Sequence, residues 1–222
     1  TTIHHGFMEV GELKISDNVV MKIDHERRSN IAANHSATHL MHAALRNVLG
    51  DQVTQKGSLV DENRLRFDFS YNKPLSKSDL FDIEVQVNNE IRKNYVSKTT
   101  LMPYDNAIKA GAMALFGEKY EAEVRVLDFD GYSIELCGGT HVKRTGDIGV
   151  FKITNESGVA SGVRRVEAIT ADTAFQWLTM HIEKMDKLAL LLKCSPDQVY
   201  SKIEQLQAKN KSIEKDLSAA KQ

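Results

Sequence analysis

The chain has 222 residues, 41% of them hydrophobic and 27% charged, with a formal net charge of −1. That length buries a substantial core in one large domain or two small ones, and the near-zero charge excludes a surface that is basic throughout, so any nucleic-acid contact must be a local patch. No apolar run approaches the roughly 20 residues that span a bilayer, no secretory or transit pattern is visible, and two cysteines, Cys137 and Cys194, are too few for a disulfide framework, which together lead us to expect a reducing, cytoplasmic setting.

Residues 1–23 read as strands. Phe7, Val10, Leu13 and Ile15 are punctuated by Gly11 and by Ser16-Asp17-Asn18, and residues 19–23 follow as a second apolar run. The segment is too short to close a barrel of its own, so the expectation is the end of an adjoining β-barrel unit. Asp24 suits the N-cap of a helix running to Leu49, with Gly50 placed to end it. Residues 64–70 alternate: Leu65, Phe67 and Phe69 point one way, and Arg64, Arg66 and Asp68 the other, which predicts a strand with one buried face. A second helix is expected from Ser78, and a short one after Pro103 that stops near Gly111.

From Val124 the pattern turns to strands. Asp130-Gly131 is a hairpin signal. It leads through Tyr132, Ile134 and Leu136 into Cys137-Gly138-Gly139-Thr140-His141. Residues 148–154 and 163–170 read as further strands, joined through the glycine-containing segment 157–162. Because helices and strands cluster rather than alternate, the expected class is α+β. Residues 171–222 repeat apolar side chains at 4,3 spacing in two runs, from Ala171 to Leu192 and from Val199 to Ala220. Between them, Ser195-Pro196-Asp197-Gln198 has the form of a capping box with proline in the first turn. The prediction is an antiparallel helical hairpin in which each helix covers the other's seam. The chain opens at Thr1 without methionine and ends at Gln222 inside a helical pattern, so a piece of a longer protein is expected.

Chemistry concentrates in two pairs. His35 and His39 are four apart on the first predicted helix, which stacks both imidazoles on one face. Cys137 and His141 are also four apart, with Gly138 and Gly139 between them to let the chain curl. A helical histidine pair alone is ordinarily surface or satisfied core, and a lone cysteine is ordinarily buried and inert. Together they offer three nitrogens and one sulfur, a set that suits one tetrahedral zinc ion. His42 lies on the same helix as a competing ligand, ranked below the four that already fill a tetrahedron. Ser36-Ala37-Thr38 separates the two histidines with no glutamate, so the zinc-protease pattern is absent. The donor set alone leaves a structural and a catalytic zinc both open.

Residues 34–40 (Asn-His-Ser-Ala-Thr-His-Leu), 55–58 (Gln-Lys-Gly-Ser), 111–120 (Gly-Ala-Met-Ala-Leu-Phe-Gly-Glu-Lys-Tyr) and 136–141 (Leu-Cys-Gly-Gly-Thr-His) closely resemble the editing domain of bacterial alanyl-tRNA synthetases. Residues 3–12, 147–149 and 161–165 extend the resemblance over nearly the whole chain. Residues 112–120 are the most family-specific; the His/His/Cys/His pattern is shared with threonyl-tRNA synthetases and free-standing editing proteins. The resemblance implies a zinc-containing editing domain of the threonyl/alanyl second additional domain type over residues 24–170, between a barrel end at 1–23 and a helical arm at 171–222. It implies hydrolysis of the ester in tRNA(Ala) mischarged with serine or glycine, with His35, His39, Cys137 and His141 on zinc.

By the same resemblance Thr38 and Gln55 become the catalytic candidates, and Arg164, Lys56, Gly138 and Gly139 the substrate- or tRNA-contacting ones. Arg64, Arg66, Lys143, Arg144 and Arg165 are further candidates for phosphate contact. The parent enzyme would attach alanine to tRNA(Ala) with ATP, but no ATP site is expected in these residues. The expected partners are the mischarged acceptor end and the rest of the parent synthetase, with no membrane. The arm reads as structural, or else as an oligomerisation or tRNA-facing element. Two rivals stand beside this reading: a zinc-stabilised tRNA-binding module without activity, and a threonyl-type or free-standing deacylase.

Overall fold

The structure is a computed structural model that describes residues 3, 5–114 and 120–221. Leu115, Phe116, Gly117, Glu118 and Lys119, the middle of the most family-specific stretch, lie outside the described residues, as do Thr1, Thr2, His4 and Gln222.

In chain order the elements are α1 (His25–Leu49), β1 (Gln55–Val60), β2 (Leu65–Ser70), α2 (Lys77–Lys93), β3 (Lys98–Pro103), α3 (Tyr104–Lys109), β4 (Glu123–Asp128), β5 (Ile134–Leu136), a 3-10 turn (Thr145–Ile148), β6 (Phe151–Ala160), β7 (Val163–Thr170), α4 (Ala171–Leu192), a 3-10 turn (Pro196–Gln198) and α5 (Val199–Ala220). The strands form two antiparallel sheets, of order β1-β2-β7-β6 and β3-β4-β5. The mixture is the α+β arrangement expected.

The central element is α1. Asp24 accepts from the Arg27 amide at 2.9 Å to start it, and Gly50 ends it at φ 103°, a conformation that favours glycine. From Ala32 to Leu45 nearly every residue is buried, because α1 lies against β1, β2 and β7 on one side and α2 on another. Small side chains (Ala32, Ala33, Ala37, Ala44) let these neighbours approach, while Leu40, Met41 and Leu45 join Phe67, Phe69, Phe129 and Phe151 in the main core. A helix buried all round carries few polar residues unless they are bonded or functional. Here Ser36, His39 and His42 are such residues.

α2 starts one residue earlier than the sequence suggested. Its cap is Ser76, in a capping box with Asp79, so the oxygen nearest the first free amides decides the start rather than Ser78. Asn88 donates to Phe151 O at 2.9 Å and accepts from Phe151 N at 3.0 Å, and Glu84 accepts from Ile153 N at 2.8 Å. These bonds occupy the free edge of β6, which would otherwise present unpaired backbone. The Asp130-Gly131 turn forms with φ of 53° and 79°, the double positive pair of a primed hairpin turn.

Four expectations are corrected. Among the described residues before Asp24 there is no strand; Phe7 and Ile15 are almost fully exposed, since no neighbouring backbone edge is there to pair with them. β6 reaches Ala160 through two bulges, so the connection to β7 shrinks from 157–162 to the two residues Ser161-Gly162, with Gly162 at φ 71°. β1 and β3 were missed, because Gln-Lys-Gly-Ser and Lys-Thr-Thr carry little of the apolar alternation that signals a strand; their partners β2 and β4 make them strands. The last correction concerns the arm. Ser195 and Gln198 form the expected capping box between α4 and α5, with Pro196 at the start of the turn. Yet among the described residues of the hairpin only Ala174, near the start of α4, and Ala189 and Val199, beside the turn, are buried; Ile182, Met185, Ile203, Leu206, Ile213 and Leu217 are exposed, so the seam does not close along its length.

Candidate metal centre

α1 and the loop after β5 bring the two pairs together. One donor atom from each of His35, His39, Cys137 and His141 lies within 4.8 Å of the others. The imidazole centroids are 5.2 Å apart for His35 and His39, 4.2 Å for His35 and His141, and 5.0 Å for His39 and His141. Cys137 Sγ lies 3.5 Å from His35 Nε2 and 3.2 Å from His141 Nε2. A thiolate and an imidazole nitrogen on a tetrahedral zinc are separated by about 3.5 Å, given metal–ligand lengths of about 2.3 and 2.0 Å. Both ring nitrogens of His39 are buried without a well-aligned hydrogen bond; Nδ1 has the Glu135 carboxylate 2.8 Å away, which leaves Nε2 as the nitrogen for a ligand to satisfy. The set fits a metal ion such as zinc.

The loop is held for this purpose. The Cys137 amide donates to Arg125 O at 3.0 Å. Arg125 Nη1 in turn donates to Cys137 O at 2.9 Å and Gly139 O at 2.6 Å, folding the loop over β4. A Cβ on Gly139 would overlap the His35 ring, 2.6 Å from its Nδ1, whereas nothing lies within 4 Å of one on Gly138. The second glycine is therefore a steric requirement of the histidine; the first is not.

Two residues orient the rings from behind. Ser36 Oγ accepts from the Val142 amide at 3.1 Å and lies 3.2 Å from His141 Nδ1. Glu135 Oε2 is 2.8 Å from His39 Nδ1. Glu135 Oε1 accepts from Ser133 Oγ at 2.9 Å and lies 3.3 Å from His42 Nδ1. His42 therefore faces the carboxylate and not the donor set.

The electrostatics follow from this crowding. Burial of the Cys137 thiol pushes its pKa up, but bonds from His141, His35 and His39 and the charge on His39 outweigh burial and bring it down to about 3. Burial also disfavours a charged His39, yet the Glu135 carboxylate and the Cys137 sulfur lift it to about 10. His141 falls to about 4, chiefly by burial and despite its bond to Cys137. Glu135 is held well below the carboxylate range: burial opposes ionisation, and His39 and His42 overcome it. Without metal the cluster is thus a thiolate, a cationic His39 and a carboxylate in one buried chain.

The other candidates scatter. Gln55 joins His42, Arg46, Met113 and Glu135 around a cavity of about 180 Å³ beside the cluster. Thr38 is buried and its hydroxyl donates to Asn34 O at 2.9 Å. Arg164 is paired with Glu156 through Nε at 2.6 Å, and shares a transverse row of the sheet with Phe69 and Gln55. Arg165 grips Asp68 at 2.7 and 2.8 Å, Arg64 grips Glu167 at 2.9 Å, Arg66 lies 3.7 Å from Asp68, and Arg144 donates to Asn94 O. Lys56 and Lys143 are exposed. Sequence reasoning missed Glu135, Ser36 and Arg125. Glu135 could have been found: it stands two residues before Cys137 in the strand-like run that leads into the loop, the spacing that puts two side chains on one face.

A donor set that could hold a metal ion, set between a buried helix and the loop after β5, marks an α+β domain, and comparison with known proteins gives it relatives. Residues 124–167 match the family described as "Threonyl and Alanyl tRNA synthetase second additional domain". Over 218 residues, 98% of its length, the chain is 54% identical to the alanine--tRNA ligases of Burkholderia mallei (strain NCTC 10229), Burkholderia pseudomallei (strain 668) and Burkholderia thailandensis (strain ATCC 700388 / DSM 13276 / CCUG 48851 / CIP 106301 / E264). It spans 25% of the length of each. By sequence, then, the chain is related to a quarter-length segment of the bacterial alanine--tRNA ligases. No helix among the described residues is long and apolar enough to cross a membrane.

Proposed function

We propose that the chain is the editing segment of an alanine--tRNA ligase. It hydrolyses the ester that joins a wrong amino acid, serine or glycine, to the terminal adenosine of tRNA(Ala). The observation that carries this reading is the convergence of His35, His39, Cys137 and His141 in a chain so similar to those ligases. On this reading residues 24–170 form the editing domain, 1–23 a segment leading from a barrel unit and 171–222 an arm. The rest of the parent ligase, in the cytoplasm, attaches alanine with ATP.

Zinc is the ion proposed, because three imidazole nitrogens and a thiolate suit it. When bound it supplies Lewis acidity toward an ester carbonyl or a water. The chain's own residues position and select. Glu135 and Ser36 keep the rings of His39 and His141 from turning. Thr38 spends its proton on Asn34 O but keeps lone pairs that can accept from the serine hydroxyl, which alanine lacks. A site built around a substrate hydroxyl rejects the analogue without one, because its own polar groups are then left unpaired. Gln55 offers an amide from the adjoining cavity. Lys56 and Arg164, with the open backbone at Gly138 and Gly139, are placed in this reading against the acceptor end.

One observation favours a second reading. Four protein donors are the usual mark of a structural zinc, which fits a tRNA-binding module without activity. Serine release from seryl-tRNA(Ala), with alanyl-tRNA(Ala) as control and Cys137→Ala alongside, separates the two. Editing predicts rapid release of serine alone and its loss in the variant, together with zinc binding weakened on the order of a thousandfold. Full activity in Cys137→Ala sinks the zinc site; no release by the folded, zinc-loaded chain supports the binding module.

A further inference from the structure

The carboxylate of Glu135 is the most thoroughly enclosed charge near the candidate metal centre, and none of the donor residues accounts for it. It is 4% exposed and sits on β5, directly before Leu136 and Cys137. Three side chains from one helix and a turn converge on it: His39 and His42 from α1 and Ser133 from the hairpin loop. A buried carboxylate is costly to desolvate unless such partners satisfy it. A core position packed by leucine would avoid that cost, so the charge calls for a role.

We propose that Glu135 is a positioning residue that clamps His39 for metal binding, with Ser133 and His42 holding the clamp. Its Oε2 lies 2.8 Å from His39 Nδ1, which leaves the other ring nitrogen, Nε2, to serve as the donor. That contact requires the proton on Nδ1 and leaves the Nε2 lone pair aimed at Cys137 and the other imidazoles. Ser133 and His42 both engage Oε1, which fixes the carboxylate plane so that Oε2 cannot swing away. His42, which the helix presents one turn beyond His39, thus serves the centre from behind and supplies no fifth ligand. Because Glu135 lies on β5 and Cys137 directly follows that strand, the clamp also couples the helix side of the centre to its loop side. The inference rests on the metal reading but not on ester hydrolysis.

The test is zinc affinity of the purified chain, by competition with a chromophoric chelator, and the visible spectrum of the cobalt-substituted protein. Glu135→Gln keeps the shape and removes the charge. Zinc affinity should fall about 10- to 100-fold, the usual range for losing such a partner of a metal-bound histidine. The cobalt bands should shift, because His39 no longer holds one orientation. Glu135→Asp, which keeps the charge but withdraws it, should recover part of the affinity. Glu90→Gln, at an equally buried glutamate paired with Lys93 and away from the cluster, should leave both readouts unchanged. Affinity and spectrum in Glu135→Gln equal to those of the parent chain overturn the proposal. If that variant does not fold, Ser133→Ala still loosens the clamp, and an unchanged affinity there overturns it equally. A parent chain that binds no zinc overturns the metal reading and this inference with it.

Discussion

Two helical regions of this molecule look alike in their apolar spacing and behave oppositely. α1 is buried nearly all round from Ala32 to Leu45, yet carries Ser36, His39 and His42 inside. The α4–α5 arm carries a longer and cleaner apolar repeat and leaves most of it in solvent. Periodicity states which side chains share a face. It does not state whether anything arrives to cover that face. α1 is covered because β2 and β7 present Phe67, Phe69, Val166 and Ala168 to it and α2 closes the remaining side. α4 and α5 leave most of their seam residues exposed, so the heptads have a register but no lid. The lesson is that buried polar residues in a helix are the better guide to function, because burial makes each of them account for its bonds.

The comparison can be tested with one substitution in each region. Leu45, in α1, is fully buried in the main core. Leu45→Ala should destabilise the chain by about 2–5 kcal/mol, the range for emptying a leucine site in a tight core. Urea unfolding followed by far-ultraviolet circular dichroism gives that figure. A loss near zero would mean that α1 is not enclosed as described.

A smaller effect separates the regions by pH. In metal-free protein the His141 pKa is depressed from 6.5 to about 4, so its neutral form contributes stability that is whole above pH 6.5 and is lost as pH falls through 4. Cys137, lowered from 9.0 to about 3, erodes in the same direction across a wider window. His39 has the opposite sign: raised to about 10, it contributes fully below 6.5 and loses its contribution as pH rises through 10. The urea midpoint of the metal-free chain should therefore fall on the acid side, most steeply between pH 6.5 and 4 where His141 and Cys137 act together, and should change little from pH 6.5 to 9, where Cys137 and His39 oppose each other. The arm holds no such cluster among its described residues, so its helicity should not follow that profile. A midpoint flat from pH 7 to 4 would remove the buried thiolate–imidazole contact from the account.

The same contrast explains what could be read in advance. The Asp24 cap, the Asp130-Gly131 turn, the alternation at 64–70 and the Ser195 box were legible because each is decided by neighbours in sequence. The pairing of His35 and His39 with Cys137 and His141 was legible because both spacings and both residue types point to one kind of ligand. β1 and β3 were not, since a polar strand is made by the strand beside it. Glu135, Ser36 and Arg125 escaped for a related reason: their partners are distant in sequence, Ser36 meeting Val142 and Arg125 meeting Gly139 across 106 and 14 positions. The ion pairs of Arg64, Arg164 and Arg165 equally depend on cross-strand register. A basic residue free to meet phosphate cannot be told from one already paired until that register is known.

The smallest predicted effect is the most pointed. Leu206, on α5, is 47% exposed and lies on the seam that was expected to close. Leu206→Ala removes the same atoms as Leu45→Ala, and alanine is the better helix former, by a few tenths of a kcal/mol at most. With little to uncover, the change should stay within about 0.5 kcal/mol of zero. The measurement is the unfolding of the arm's helical signal in urea, at two protein concentrations. A loss of more than about 1 kcal/mol at both would mean that α4 and α5 close on each other along their length in solution, as the heptads alone suggested. A loss that appears only at the higher concentration would put a second copy of the chain on the seam. An unchanged midpoint would leave the arm a face whose apolar spacing is set by sequence and which no described residue of this chain covers.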